Sequence, residues 1–176
     1  MRTLLSEKEL QAGVAQMAVE IIAAYGERPL TIVGVLTGSV VLLADLIRLL
    51  DMPLRVGVLQ ASSYRSGTTR GQLTINSEMM LNVAERDVLV VDDIFDTGHT
   101  LVEVVAKLKE LSPSSVKTAV LLRKHGRQEV DFSPDFVAFE IPDEFVVGYG
   151  LDYADQYRNL PHLAVLEPED LANNRS

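Results

Sequence analysis

The sequence predicts an α/β fold, a mostly parallel twisted sheet flanked by helices, on three observations. Residues 31–36, 54–59, 88–91 and 116–122 are short apolar runs of the kind found in strands buried on both faces. Between them lie stretches whose apolar residues recur at helical spacing, as in Leu101, Val104, Val105, Leu108 and Leu111. The alternation of the two patterns is the signature of parallel strands joined by crossover helices.

Each element has its own local reason. Ser6-Glu7-Lys8-Glu9 reads as a capping box and opens a helix carrying Leu10, Val14, Met17, Ile21 and Ile22. Gly26 and Pro29 end it. A strand over 31–36 runs into the turn Thr37-Gly38-Ser39, and 40–50 is an apolar helix. Residues 54–59 form the next strand, followed by a polar stretch over 62–76 and a short strand over 79–81. After strand 88–91 a helix begins just past Thr100. Strands over 116–122 and 136–139 follow, with short ones at 146–147 and 163–166. The tail, 167–176, is polar and expected to be loose.

At 176 residues the chain reads as one domain. Its composition, 47% hydrophobic and 23% charged, is that of a globular protein. A formal net charge of −9 with no basic stripe argues against nucleic-acid binding. Without cysteine there is no disulfide framework and no thiolate metal site. No signal-peptide core and no run of membrane-spanning length is visible, which predicts a soluble, cytoplasmic protein with no membrane partner.

The chemistry concentrates after strand 88–91. Asp92 and Asp93 end the apolar run, and Asp96-Thr97-Gly98-His99-Thr100 leads into the helix. A helix N-terminus with two hydroxyls and a glycine for close backbone approach binds phosphate. The carboxylates upstream repel phosphate, so they must contact sugar hydroxyls, a divalent cation or a basic nitrogen. Phosphate and a polyhydroxyl ring side by side describe a sugar-phosphate site. The rival nucleotide motifs fail: there is no P-loop, and Gly148-Tyr149-Gly150 lacks the third glycine of a dinucleotide fingerprint.

Val90-Val91-Asp92-Asp93-Ile94-Phe95-Asp96-Thr97-Gly98-His99-Thr100 resembles the phosphoribosyl-pyrophosphate motif of the type I phosphoribosyltransferases. The acid at position 96 resembles the hypoxanthine-guanine members of bacterial type. A second match is Ile141-Pro142-Asp143-Glu144-Phe145-Val146-Val147-Gly148-Tyr149-Gly150-Leu151-Asp152-Tyr153. The resemblance covers about residues 6–166. It implies the type I phosphoribosyltransferase fold, with a small hood drawn from the N-terminal and C-terminal segments. It also implies a purine salvage reaction: 5-phosphoribose passes from phosphoribosyl pyrophosphate to N9 of hypoxanthine or guanine, giving IMP or GMP.

The site follows from the same resemblance. Asp92 and Asp93 are expected at the ribose hydroxyls, directly or through magnesium. Residues Asp96, Thr97, Gly98, His99 and Thr100 are expected at the 5′-phosphate, with Asp96 also the general base near purine N7. Thr37, Gly38, Ser39 and Arg158 fall on the pyrophosphate side. Thr37 departs from the pattern, since relatives often carry lysine or arginine there. Lys124 matches the lysine that donates to the purine 6-carbonyl, with Arg123, His125 and Arg127 as neighbours in register. Phe145 is expected to stack on the base and the Val146 backbone to read its edge. Asp152 is expected beside the purine as a magnesium ligand, joining Asp92 and Asp93 as metal-binding acids. Ser63 and Tyr64 match a mobile loop over about 62–76 that closes on the site. His99, His125 and His162 are read as non-catalytic. Relatives form dimers or tetramers, so a homodimer or homotetramer is implied. Two alternatives stay open: another base such as xanthine or uracil, and a regulator of the same fold that binds RNA or DNA, which the acidic charge disfavours.

Overall fold

The structure, a computed structural model, describes residues 1–62, 74–75 and 81–173. In chain order the first elements are β1 (Arg2–Leu5), α1 (Glu7–Tyr25), β2 (Leu30–Leu36), α2 (Val40–Ile47), β3 (Leu54–Ser62) and β4 (Thr74–Ile75). Then come β5 (Asp87–Phe95), α3 (His99–Lys109), β6 (Ser115–Lys124), β7 (Phe136–Ile141), β8 (Val146–Val147), β9 (Leu163–Val165) and α4 (Pro168–Asn173).

The main sheet has the order β4-β3-β2-β5-β6-β7. Its five longer strands are parallel, and β4 adds antiparallel to β3 at the edge. The unbroken apolar runs are explained by burial on both faces. Ile32, Leu89, Val91 and Leu121 share one core with Leu10, Val14 and Met17 of α1 and Leu42 and Leu46 of α2. The alternate residues Val33, Val35, Val88, Val90 and Val120 meet Leu101, Val104 and Leu108 of α3 on the other face. A reciprocal cap starts α1: Ser6 Oγ accepts from the Glu9 N–H, and the Glu9 carboxylate accepts from the Ser6 N–H.

A second sheet, β1-β9-β8, is antiparallel and forms a hood from both ends of the chain. No helix among the described residues is long and apolar enough to cross a membrane.

Several expectations are corrected. Strand β5 runs on to Phe95 because its ladder with β6 continues through Asp92↔Val120, Ile94↔Leu122 and Phe95↔Arg123. Asp92 and Asp93 therefore stand on a strand rather than in a loop. Helix α2 ends at Ile47, and α3 begins at His99. The tail is not wholly loose: Pro168–Asn173 is helical, and the Met1 amine reaches Glu167 at 2.6 Å and Asp170 at 2.7 Å. Residue 81 lies outside any strand, and 79–80 fall outside the described residues. So do Ser63 and Tyr64, the expected mobile-loop pair.

Candidate active site

The carboxyl ends of β2 and β5 open on a cleft of about 460 Å³. Thr37, Gly38, Asp92, Asp93, Asp96, Thr97, Gly98 and Thr100 line it, with Arg127 from beyond β6 and Asp152 and Arg158 from beyond β8. Crevices at this end of a parallel sheet are where such folds bind ligands, because the connecting loops gather there.

Asp92 is buried, and Asp93 stands beside it, half-buried at the cleft wall. The Asp93 N–H donates to Asp92 Oδ1 at 2.9 Å, and the Ile94 N–H to Asp93 Oδ1 at 2.7 Å. Burial, and then the neighbouring Asp93 charge, push the Asp92 carboxyl well above the usual carboxylate range. Burial also raises Asp93, while its hydrogen bonds and the Arg158 guanidinium work against the shift. Two desolvated acids on adjacent strand positions are costly unless hydroxyls or a cation occupy them.

Across the cleft, α3 starts without a side-chain cap. Gly98 takes a left-handed conformation, φ 91° and ψ −8°, and a Cβ there would lie 2.7 Å from the Phe95 ring and 2.5 Å from Val130. The uncapped first turn of α3, with Thr97 and Thr100, lines a pocket of this cleft, and an uncapped helix start of this kind suits an anion. His99 turns out of this pocket: its Nε2 lies 2.8 Å from Glu129 Oε2.

The loop that follows β2 has a cis Leu36–Thr37 peptide. Thr37 and Gly38 face the cleft. Ser39 does not: it is fully buried, and its hydroxyl donates to the Val35 carbonyl at 2.5 Å. The Ser39 hydroxyl is thus used inside the turn, which leaves only its backbone for the expected pyrophosphate contact. Arg158 does line the cleft, its Nη2 lying 2.8 Å from Asp152 Oδ1.

Asp96 sits in a network that its motif did not reveal. Arg127 Nε donates to Asp96 Oδ1 at 3.0 Å, and Lys124 Nζ lies 3.8 Å from Asp96 Oδ2. Asp143 Oδ1 approaches both cations, at 3.5 Å from Lys124 and 3.6 Å from Arg127. Of the four basic or titratable neighbours considered for this register, Lys124 and Arg127 face Asp96. Arg123 and His125 instead pair with Glu140, at 2.9 and 3.2 Å. Arg127 and Asp143 were legible only as charges near a motif.

Lys124, Phe145 and Val146 lie outside the lining of the main cleft. Phe145 is 48% exposed, a large aromatic face left open, and meets Tyr153 edge-on at 5.4 Å. Val146 is buried in the hood, paired with Val165.

Asp92, Asp93 and Asp152 do not converge as a cage, and no group of three acids or histidines among the described residues is arranged to hold a metal. The donor chemistry still suits magnesium, a hard cation that uses one or two carboxylates and takes its remaining oxygens from substrate and water.

The chain matches the phosphoribosyl transferase domain family over residues 2–154. It is 41% identical over 167 residues to a hypoxanthine-guanine phosphoribosyltransferase of Staphylococcus epidermidis, covering 94% of this chain and 93% of that one. It is also 41% identical over 169 residues to the bifunctional protein TilS/HprT of Listeria monocytogenes. That match covers 96% of this chain but only 26% of the longer protein. Among solved structures, a Trypanosoma cruzi hypoxanthine phosphoribosyltransferase complexed with the product IMP aligns with a TM-score of 0.92 at 36% identity, covering 100% of this chain and 96% of that one.

Proposed function

The chain belongs to the phosphoribosyltransferase family, and from that premise we infer that it is a purine salvage enzyme of the hypoxanthine-guanine class. It transfers 5-phosphoribose from phosphoribosyl pyrophosphate to N9 of hypoxanthine or guanine and releases pyrophosphate. One observation carries this reading: the buried acid pair Asp92 and Asp93 and the uncapped start of α3 share a single cleft with the 37–38 loop.

The steps assign themselves by charge and position. Asp92 and Asp93 accept from the ribose hydroxyls, which adds polar partners to a desolvated pair. The N–H groups of residues 97–100 hold the 5′-phosphate, helped by the Thr97 and Thr100 hydroxyls. Thr37, Gly38 and Arg158 take the pyrophosphate side. Phe145 offers its open face to the base, the Val146 main chain reads the base edge, and the Lys124 ammonium serves the 6-carbonyl. Asp96 takes the proton near N7 as N9 attacks C1′, a general-base role worth about two to four powers of ten. Asp96 Oδ1 accepts from Arg127 Nε at 3.0 Å, so Arg127 sits beside the carboxylate that takes the proton. Magnesium, held by Asp152 and the Asp92–Asp93 pair together with substrate oxygens, would supply charge neutralisation for the leaving pyrophosphate. The assembly this reading carries is a homodimer or homotetramer, which sedimentation of the full chain measures.

The test is a panel assay with phosphoribosyl pyrophosphate and magnesium, offering hypoxanthine, guanine, xanthine, adenine and uracil in turn. Nucleotide formation from hypoxanthine or guanine is expected. Turnover confined to adenine or uracil would remove the purine assignment, and no turnover with any base would remove the enzyme reading. Asp96 favours a purine over a pyrimidine, because N7 gives that carboxylate a proton to accept.

A further inference from the structure

Away from the cleft, between α1 and α2, a second hollow of about 420 Å³ is walled by Tyr149 and Asp45. The Tyr149 hydroxyl donates to Asp45 Oδ2 at 2.6 Å, joining residues 104 positions apart. Burial, and then the Asp45 carboxylate, push the phenol's pKa up, so it stays a donor throughout the working pH range.

The backbone around Tyr149 is unusual. Gly148 and Leu151 exchange N–H···O bonds of 2.9 and 3.0 Å, closing a two-residue turn. Both central residues have positive φ, 49° at Tyr149 and 99° at Gly150. Such primed turns are the territory of asparagine, aspartate and glycine, and a tyrosine there is strained unless something outside the turn holds it. Asp45 is that anchor.

The turn touches the chemistry on its other side. A Cβ at Gly150 would lie 2.2 Å from the Gly38 carbonyl oxygen, so the turn rests directly on the 37–38 loop. Arg158 Nη1 donates to the Gly150 carbonyl at 2.8 Å, and the Gly150 N–H donates to the Arg158 carbonyl at 3.0 Å. Asp45 stands on α2, the helix into which the same loop leads. The contacts close a ring: loop, α2, Asp45, Tyr149, Gly150 and back to Gly38.

We propose that the Tyr149–Asp45 hydrogen bond is a positioning strut for pyrophosphate, fixing the 37–38 loop and Arg158 against each other from outside the cleft. Thr37 brings no charge to that loop, so alignment of its donors matters more. Tyr149 and Asp45 are positioning residues and touch no substrate. The proposal rests on the functional reading above, which assigns this end of the cleft to pyrophosphate.

The experiment is calorimetric titration of the full-length protein with inorganic pyrophosphate in magnesium buffer, alongside steady-state KM values and a melting curve. The proteins are wild type, Tyr149→Phe, Asp45→Ala, Asp45→Asn and the double variant Tyr149→Phe/Asp45→Ala. Loss of the Tyr149–Asp45 hydrogen bond to a charged acceptor should weaken pyrophosphate binding about tenfold in each of Tyr149→Phe and Asp45→Ala, the latter also releasing Arg48 Nη2 from Asp45 Oδ1. KM for phosphoribosyl pyrophosphate should rise in parallel while KM for hypoxanthine stays unchanged. The double variant should be no worse than either single one, and Asp45→Asn, whose amide oxygen still accepts, should recover most of the loss. Wild-type pyrophosphate affinity in Tyr149→Phe overturns the strut. So do additive losses in the double variant, or an equal rise in both KM values, which marks a general structural defect. Absence of pyrophosphate binding in the wild type would instead overturn the functional reading, and the strut with it.

Discussion

Replacing Gly38 by alanine probes the closest approach in the site. A Cβ on Gly38 would stand 1.5 Å from Asp93 Oδ2, 2.5 Å from its Cγ and 3.3 Å from its Cβ. Ordinary contact needs about 3.5 Å, so carboxylate or loop must retreat by about 2 Å. Rotating Asp93 away sacrifices the bond from the Ile94 N–H at 2.7 Å, a contact worth about 1.5–3 kcal/mol when the acceptor is charged. Moving the loop instead overpacks it against Gly150, at a cost of about 1–3 kcal/mol. Either route should lower the melting temperature by about 5 °C in a chain of this length. It should also raise KM for phosphoribosyl pyrophosphate by at least about tenfold, since 1.4 kcal/mol of lost binding is one power of ten. The assay is a melting curve with initial-rate kinetics on Gly38→Ala, Asp93→Ala and the pair combined. In the combined variant the obstruction is gone, so its melting temperature should match that of Asp93→Ala while activity stays low. A Gly38→Ala protein with wild-type melting and KM would refute the reasoning, as would a melting loss that simply adds in the combined variant.

Three further outcomes are expected. Asp96→Asn should keep its affinity for phosphoribosyl pyrophosphate and lose about two to four powers of ten in turnover; single-turnover rates decide it, and unchanged turnover takes Asp96 out of the base role. Asp152→Ala should raise the magnesium needed for half-maximal rate, and an unaltered magnesium titration counts against that ligand. Asp92→Asn should melt higher at neutral pH while losing activity. The sign follows from its raised pKa. Between the unfolded value, about 3.9, and the higher folded one, the native state holds the extra proton, so stability falls as pH rises through that window. Each unit of that shift corresponds to about 1.4 kcal/mol. Removing the charge should flatten the pH–stability curve measured by urea unfolding, and a curve parallel to wild type would contradict the assignment.

The parallel sheet was legible because its strands are buried on both faces and so spell continuous apolar runs. The cap at Ser6 was legible because Ser and Glu three residues apart are a local device. That Asp92 to Thr100 gather at one cleft could be read for the same reason, since they are neighbours in the chain. What could not be read depends on distant partners. Arg2–Leu5 is half exposed and becomes a strand only by pairing with Leu163–Val165. Arg127 is one of several charges after β6, and only the fold turns it toward Asp96, 31 residues away. Extension of β5 to Phe95 likewise reflects the length of its neighbour β6, not a signal in its own residues.

Because Asp92 is stitched into a ladder opposite Val120, the acid end of the cleft behaves as an anvil. The hood is a separate three-stranded sheet, and Phe145 stands open just ahead of β8, beside Tyr153. Under the proposed function, a lineage could retune which nucleobase it accepts by editing the segment around Phe145, while the acids on β5 stay as they were.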